Sequence, residues 1–588
     1  MSGSHQYLTN IASDSEQYRE RSELTSPAQP ANIVSEANKY HERQQVNIAN
    51  EVSKYRERER ANIAGTAGKY RERERANIAG TAGKHRGFMG FTTLDIIIVI
   101  VYMIVSAGAG AWIGRHQTNT TDYFLGGRQI PWFAVTFSIV ATETSVLTFI
   151  SIPAVSYLGN MTFIQIVLGY MIGRVLVAQI MIPAYYRGDM NTAYHYLGER
   201  FGQRMRNTAS ITFMVTRLLA DGVRLFATAI PLALIIKGSG ALKGLSDGQF
   251  YAISIIVIGV LTMIYTYIGG IRAVIWMDVV QMFIYLGGAI LAGYIILTRL
   301  PEGFASVTHW AGDGDKLQWF YTGSELAFRD FIRQPYTFYT AVIAGAIFSL
   351  ASHGTDQLIV QRVLTCKDRQ ASQKAMVFSG VAVCFQFMIF LMLGVMLYAY
   401  YQGAGVADLG LTRADGIFPK FIVEEMPPGI SGLIVAALFA AAMSTLSSSL
   451  SSLSSAAVLD IYLPLAGAGK SEAQLLQTSR LVTLAWGVVL VGVAIAFIGL
   501  KGTVVEVALG IASYTYGGLL GVFLLGLINQ KVGQRDAIIG FFSALVVMSV
   551  VIQTVNIAWP LYTVVGALTT VTVGNLAHLI FPGASHAG

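Results

Sequence analysis

Apolar and polar positions are spread unevenly along this chain. A polar, repetitive stretch fills residues 1–88, and from about residue 92 apolar runs of some twenty residues recur to the C-terminus. Thirteen runs stand out, near 93–113, 131–157, 161–186, 208–236, 250–268, 273–298, 337–355, 376–401, 430–458, 481–499, 504–528, 537–556 and 559–581. Each is long enough to cross a hydrocarbon core about 30 Å thick. Lipid offers no water to a free N–H or C=O, so runs of this length are helices. The pattern predicts an all-α, multi-pass protein of the lipid bilayer, in the plasma membrane or, in a bacterium, the cell inner membrane.

Ten of the runs divide into two sets of five, 131–298 and 337–528. Five is odd, so the second set runs inverted relative to the first. Inverted repeats mark secondary transporters, whose solute site lies at the repeat interface near the bilayer midplane. Lys and Arg in short loops set orientation. The loops with Arg115/Arg128, Arg187/Arg200/Arg204/Arg206, Arg362/Lys367/Arg369/Lys374, Lys470/Arg480 and Lys531/Arg535 share one side, expected to be cytoplasmic. The longer segments 299–336 and 402–429, with Trp310 and Trp319, fall on the other side. This places the N-terminus outside and the C-terminus inside.

Residues 1–88 are a different kind of sequence, set apart from a transmembrane domain over 89–588. The stretch 61–75 nearly recurs at 76–86, and looser copies start near Ala31 and Val46. Each unit brings only an isoleucine and one Tyr or His as core candidates, too little to bury a face. The expectation is a disordered or weakly helical tail. A rival expectation is translated upstream DNA with the true start at Met89, which the difficulty of translocating a basic tail favours. N-terminal proteomics separates the two. No cleavable signal peptide is expected, because the first apolar run begins after about 90 residues.

Composition agrees with the pattern. Only 13% of residues are charged and 53% are hydrophobic, against about a quarter charged in a soluble domain. The net charge of +7 is what basic loops supply and does not call for nucleic acid. The two cysteines, Cys366 and Cys384, form neither a disulfide framework nor a metal cluster and read as structural. Thiol, metal and nucleotide motifs of enzymes are missing from the sequence, so no catalytic residues and no metal beyond a transported ion are expected.

Polar residues inside the apolar runs carry the chemistry. In the run near 430–458, Ala441, Ser444, Thr445 and Ser448 share one helix face. Hydroxyl oxygens and free carbonyls suit a hard monovalent cation; small hydroxylated residues also serve close helix packing. The run near 131–157 carries Thr142-Glu143-Thr144-Ser145. Such a polar cluster in lipid is costly and usually functional, and a helix broken there would free carbonyls for a cation; a satisfied buried Glu is the plainer alternative. Asp278 either holds a cation or pairs with Arg272. Arg217, Asp221 and Arg224 share a face at i, i+4 and i+7, where one Asp leaves a spare positive charge for a carboxylate or for a structural network.

These segments resemble the sodium:solute symporter family, which includes sodium/sugar, proline and sialic acid symporters. The resemblance runs in order through Tyr123–Arg128 with Pro131-Trp132, Ala141–Ser145, Tyr196–Gly202, Gly269–Gln281, Asp356-Gln357 with Gln361-Arg362, and Ala440–Ser448 with Asp460–Tyr462. It implies a LeuT-like core of two inverted five-helix repeats with flanking helices, about thirteen in all, and sodium as coupling ion. It maps a sodium site to Ala141, Thr144, Ala441, Ser444 and Thr445. A second sodium is open at Ser447, Ser448 and Asp278. Glu143 stands where proline permease has an essential aspartate. Ser145 and Thr148 match the spacing of solute contacts in the sialic acid symporter, with Gln165 and Ser349 beside them. Where sugar symporters place an Asn and a gating Tyr, this chain has Ser349 and Ser352 with His353 next, which disfavours a neutral sugar. Arg217 is out of strict register with the family's carboxylate-reading arginine.

The expected function is alternating-access, sodium-coupled symport of a small organic solute: an amino acid, monocarboxylate or sugar acid. Rival expectations are proton coupling through Glu143 and a transporter-like solute sensor, which the lack of a kinase or receiver domain before residue 588 disfavours. Oligomeric state is not legible.

Overall fold

The computed structural model describes residues 92–581 except 116, 189, 239–243, 313–314 and 499–503. The expected tail over 1–88 and the start at Met89 lie outside the described residues. Within them, regular structure is helical throughout, with one isolated bridge between Ile130 and Cys366.

The core opens with a broken span, α1 being the peripheral helix Thr93–Ile113 before it. The two halves are α2, Trp132–Glu143, and α3, Val146–Leu158, bent by 66° at the break. α4 (Met161–Tyr185) and α5 (Gln203–Gly238) follow. α6, Asp247–Arg299, looks like one 53-residue helix but turns at Gly270, whose φ of 52° and ψ of −156° are not helical. Only glycine takes that backbone easily, and a Cβ there would lie 2.5 Å from the Tyr123 carbonyl oxygen. The kink separates the expected spans 250–268 and 273–298.

A second broken span opens the other half: α7 (Thr340–Gly354) and α8 (Gln357–Val363). α9 (Arg369–Tyr400), α10 (Ile430–Ala466), α11 (Glu472–Ala496) and α12 (Val504–Ile528) complete it. α13 (Gln534–Thr554) and α14 (Pro560–Ile580) pack beside α12. The Ile130 N–H, just before α2, donates to the Thr365 carbonyl, just after α8, at 3.0 Å. One broken span therefore starts where the other ends, on the face with the basic loops. The two run antiparallel, as inverted repeats require. All thirteen expected spans are helical.

Close approach holds these helices together, since lipid gives little hydrophobic drive between them. Gly169 and Gly173 on α4 press against α7: a Cβ on either would fall 2.6 and 2.4 Å from the carbonyl oxygens of Val342 and Ala346. α1 is fastened to the core by Asp95. Its Oδ1 accepts the Gly429 and Gly432 N–H groups and the Ser431 hydroxyl, each at 2.7 Å, and so caps the start of α10.

On the face opposite the basic loops, the segment from Lys316 to Tyr336 crosses the ends of α3 and α4. Lys316 Nζ donates to the carbonyls of Tyr157 (2.8 Å) and Leu158 (3.0 Å) at the C-terminus of α3, where the helix dipole favours a cation. Its ammonium also sits 4.3 Å over the Tyr398 ring. Burial pushes the Lys316 ammonium pKa down from the usual lysine range.

Candidate functional site

α2 ends at Glu143 because Thr144 leaves helical geometry (φ −86°, ψ 90°), and Ser145 is extended and caps α3. Threonine and serine side chains offer the backbone bonds that compete with a helix. The Ser145 N–H bonds the Glu143 carbonyl at 3.2 Å rather than that of Ala141. The Thr148 N–H reaches Ser145 Oγ at 3.4 Å rather than the Thr144 carbonyl. The carbonyls of Ala141 and Thr144 are thereby released from the helical ladder.

α10 presents the expected hydroxyl face to this break. Thr445 Oγ1 donates to the Ala441 carbonyl at 3.1 Å, and Ser444 Oγ donates to Asp278 Oδ1 at 2.7 Å. Each hydroxyl has its proton committed, so its oxygen lone pairs are available to a cation. Thr142 Oγ1 lies 3.2 Å from Ser448 Oγ across the α2–α10 contact. Ser145 and Thr445 line one small cavity of about 10 Å³, room for about one water, with Ala442, Leu446, Asp221 and Arg224. Freed carbonyls and hydroxyl oxygens thus lie on two elements that touch through Thr142 and Ser448.

Asp278 pairs with Arg362, not with Arg272. The Arg362 guanidinium donates to Asp278 Oδ2 at 3.0 Å and to Ser138 Oγ at 2.9 Å, and it also bonds Ser448. Ser138 Oγ in turn donates to Asp278 Oδ2 at 2.6 Å. A tethered cation thus stands among Asp278 and Ser448, two of the three residues of the expected second sodium site. Ser447 Oγ, the third, donates to the Ser444 carbonyl at 3.1 Å.

The three charges of α5 divide. Arg217 bonds Asp356 and donates to Tyr516 Oη at 2.8 Å and to Asp221 Oδ1 at 3.4 Å. Arg224 shares Asp221 at 3.2 Å and lines the cavity beside Ser145. Arg217 is the more deeply buried of the two, and Arg224 lines the small cavity.

Glu143 gathers a second cluster. Arg174 of α4 bonds one carboxylate oxygen, and His353 Nε2 lies 2.8 Å from the other. His353 Nδ1 lies 2.9 Å from Ser352 Oγ and 3.2 Å from Ser349 Oγ. Ser349 Oγ donates to the Tyr170 carbonyl at 3.0 Å. Thr148 Oγ1 donates to the Glu143 carbonyl at 3.4 Å. Gln165 bonds main-chain groups of the segment before α7. Its Nε2 donates to the carbonyls of Tyr336 (2.7 Å) and Tyr321 (3.3 Å), and its Oε1 accepts the Tyr321 N–H at 3.2 Å.

Sequence reasoning passed over Arg174 and placed Arg362 in a basic loop as well as in a motif, whereas the structure buries Arg362 within α8. Both are single arginines within apolar helices, and an intramembrane cation is itself a signal for a buried carboxylate partner. His353 was noted only as a neighbour of Ser352.

Two antiparallel broken helices, with freed carbonyls facing a hydroxyl-bearing helix and charged groups drawn to the breaks, define a secondary transporter of LeuT-like architecture. A model of the sodium:solute symporter family matches residues 123–544, and the chain belongs to that family. It is a sodium-coupled symporter of the membrane, not an enzyme. It is 28% identical over 506 residues to the sodium/sialic acid symporter NanT of Aliivibrio fischeri, covering 84% of this chain and 94% of that one. Against the human sodium-coupled monocarboxylate transporter 2 the identity is 26% over 464 residues, covering 77% and 71%. A solved substrate-bound, outward-open Na+-coupled sialic acid symporter superposes with a TM-score of 0.72 at 27% identity, covering 84% of this chain and 98% of that chain.

Proposed function

We propose that this chain couples sodium to the uptake of a small organic anion, a monocarboxylate or a sugar acid. The observation that carries the reading is the division between Arg217 and Arg224. Arg217 is held by Asp356 and Tyr516 besides Asp221, whereas Arg224 has, among the described residues, Asp221 alone as its carboxylate partner and lines the small cavity with Ser145 and Thr445. A guanidinium that shares one carboxylate with a second arginine keeps donors for another carboxylate.

Sodium is held by the carbonyls of Ala141, Thr144 and Ala441 and the hydroxyls of Ser444 and Thr445. Its arrival reforms the break between α2 and α3 and shapes a solute site from Ser145, Thr148 and Arg224, with Ser349 and Glu143 behind them. Gln165 secures the segment above this site. Each sodium entering brings about 2.3 kcal/mol per 100 mV of membrane potential. A second sodium at Ser447, Ser448 and Asp278 has to move the Arg362 guanidinium aside, so one sodium per cycle is the simpler stoichiometry.

The NanT and monocarboxylate relatives suggest the probes. Uptake of labelled N-acetylneuraminate, lactate and pyruvate into proteoliposomes is measured with an inward sodium gradient and with choline in its place. Sodium-driven uptake of at least one acid, and none of glucose, is expected. Sodium-driven uptake of glucose alone would overturn the anion reading.

A further inference from the structure

One side chain joins the breaks of the two broken helices. His353 is on the last turn of α7, two residues before Thr355, where that helix ends. Glu143 is the last residue of α2, where that helix ends. Their 2.8 Å contact is a direct side-chain bond between the two breaks. His353 is 4% exposed, so water does not replace this bond cheaply.

The ring's other nitrogen faces back along α7. Nδ1 lies 2.9 Å from Ser352 Oγ and 3.2 Å from Ser349 Oγ. Ser349 Oγ gives its proton to the Tyr170 carbonyl, so with Nδ1 accepting from the Ser352 hydroxyl, Nε2 carries the proton and donates to the Glu143 carboxylate. Arg174 holds the second carboxylate oxygen, so Glu143 is fixed from α4 and α7 together. The Glu143 backbone lies between the carbonyls of Ala141 and Thr144. A shift at the α7 break is therefore passed to the two carbonyls that hold sodium, through a chain of bonds three side chains long: Ser352, His353, Glu143.

We infer that His353 is a positioning residue that couples the two breaks, so that sodium at the first orders the second. This rests on the sodium site proposed above. The test needs no solute. Hydrogen–deuterium exchange is followed in the wild-type protein in nanodiscs, with sodium chloride or choline chloride, for peptides covering 141–148 and 349–358. Sodium is expected to slow exchange in both regions, by about fivefold or more, the low end of coupling between sites. His353→Gln places an amide donor near the Nε2 position and should behave as wild type. His353→Asn reaches only as far as Nδ1, and its sodium protection should stay confined to 141–148.

Protection of 349–358 that is equal in His353→Asn and wild type overturns the coupling role while leaving the sodium site standing. No protection of 141–148 in the wild type overturns the sodium site, and the coupling with it. If His353→Asn fails to fold, protection is compared between wild type and Ser349→Ala/Ser352→Ala, which removes both hydroxyls beside the ring's Nδ1. Undiminished protection of 349–358 in that double variant likewise counts against the coupling.

Discussion

Asp278 and Arg362 bond one another at 3.0 Å with neither side chain reaching solvent, across the contact between α6 and α8. Removing one partner of such a pair strands the other charge and costs about 3–5 kcal/mol. Arg362→Met is expected to lower the melting temperature sharply in choline buffer. Sodium should recover part of the loss, because Asp278 with the Ser444 and Ser448 hydroxyls then offers a vacant cation site. The measurement is the gap between melting temperatures in sodium and choline. A gap no wider than in wild type would count against a latent second site at Ser447, Ser448 and Asp278.

Asp95 offers a prediction of pure stability. Five donors converge on its carboxylate: Thr92 through its N–H and hydroxyl, and Gly429, Ser431 and Gly432. Asp95→Ala removes the cap of α10 and leaves these donors to find other partners, at about 2–3 kcal/mol. Thermal unfolding in detergent should fall, with transport per folded molecule nearly unchanged.

At the sodium site, Thr445→Ala deletes one oxygen ligand without touching the broken helix. Losing one such contact, worth about 1–2 kcal/mol, corresponds to roughly tenfold in affinity. The sodium concentration for half-maximal uptake should rise by that factor, and the maximal rate at saturating sodium should hold. An unchanged sodium requirement would remove Thr445 from the site.

The two arginines of α5 should part company on substitution. Arg224→Gln is expected to weaken binding of a carboxylate solute by tenfold or more, the scale of about 1.5–3 kcal/mol for a hydrogen bond to a charged group, with folding preserved. Arg217→Leu leaves Asp356 and Tyr516 without their cation and should mainly destabilise the fold. Affinity measured by isothermal titration, set beside melting temperature, separates the outcomes. Reversed roles would move the carboxylate contact to Arg217.

Much of this architecture was legible because membranes impose strict rules. Apolar run length gave the helices, and Thr142–Ser145 within such a run marked the break of α2. The face formed by Ala441, Ser444, Thr445 and Ser448 followed from helical spacing alone. Partnership was harder to read. Asp278 was weighed against Arg272, six residues away, whereas its partner lies 84 residues on in the second repeat. Arg224 and Arg217 share a helix face, and only the position of Asp356, at the start of α8, tells them apart. Gln165 read as a polar residue near the solute; the chain segment that occupies its amide has no signature of its own.

That amide is taken up by Tyr321 and Tyr336 through their main-chain N–H and C=O groups, and Lys316 likewise seizes two carbonyls. A fastening made to peptide groups is indifferent to the side chains those residues carry. That outer segment can thus change exposed residues such as Trp319 and Phe320 while the buckle made by Gln165 and Lys316 stays the same.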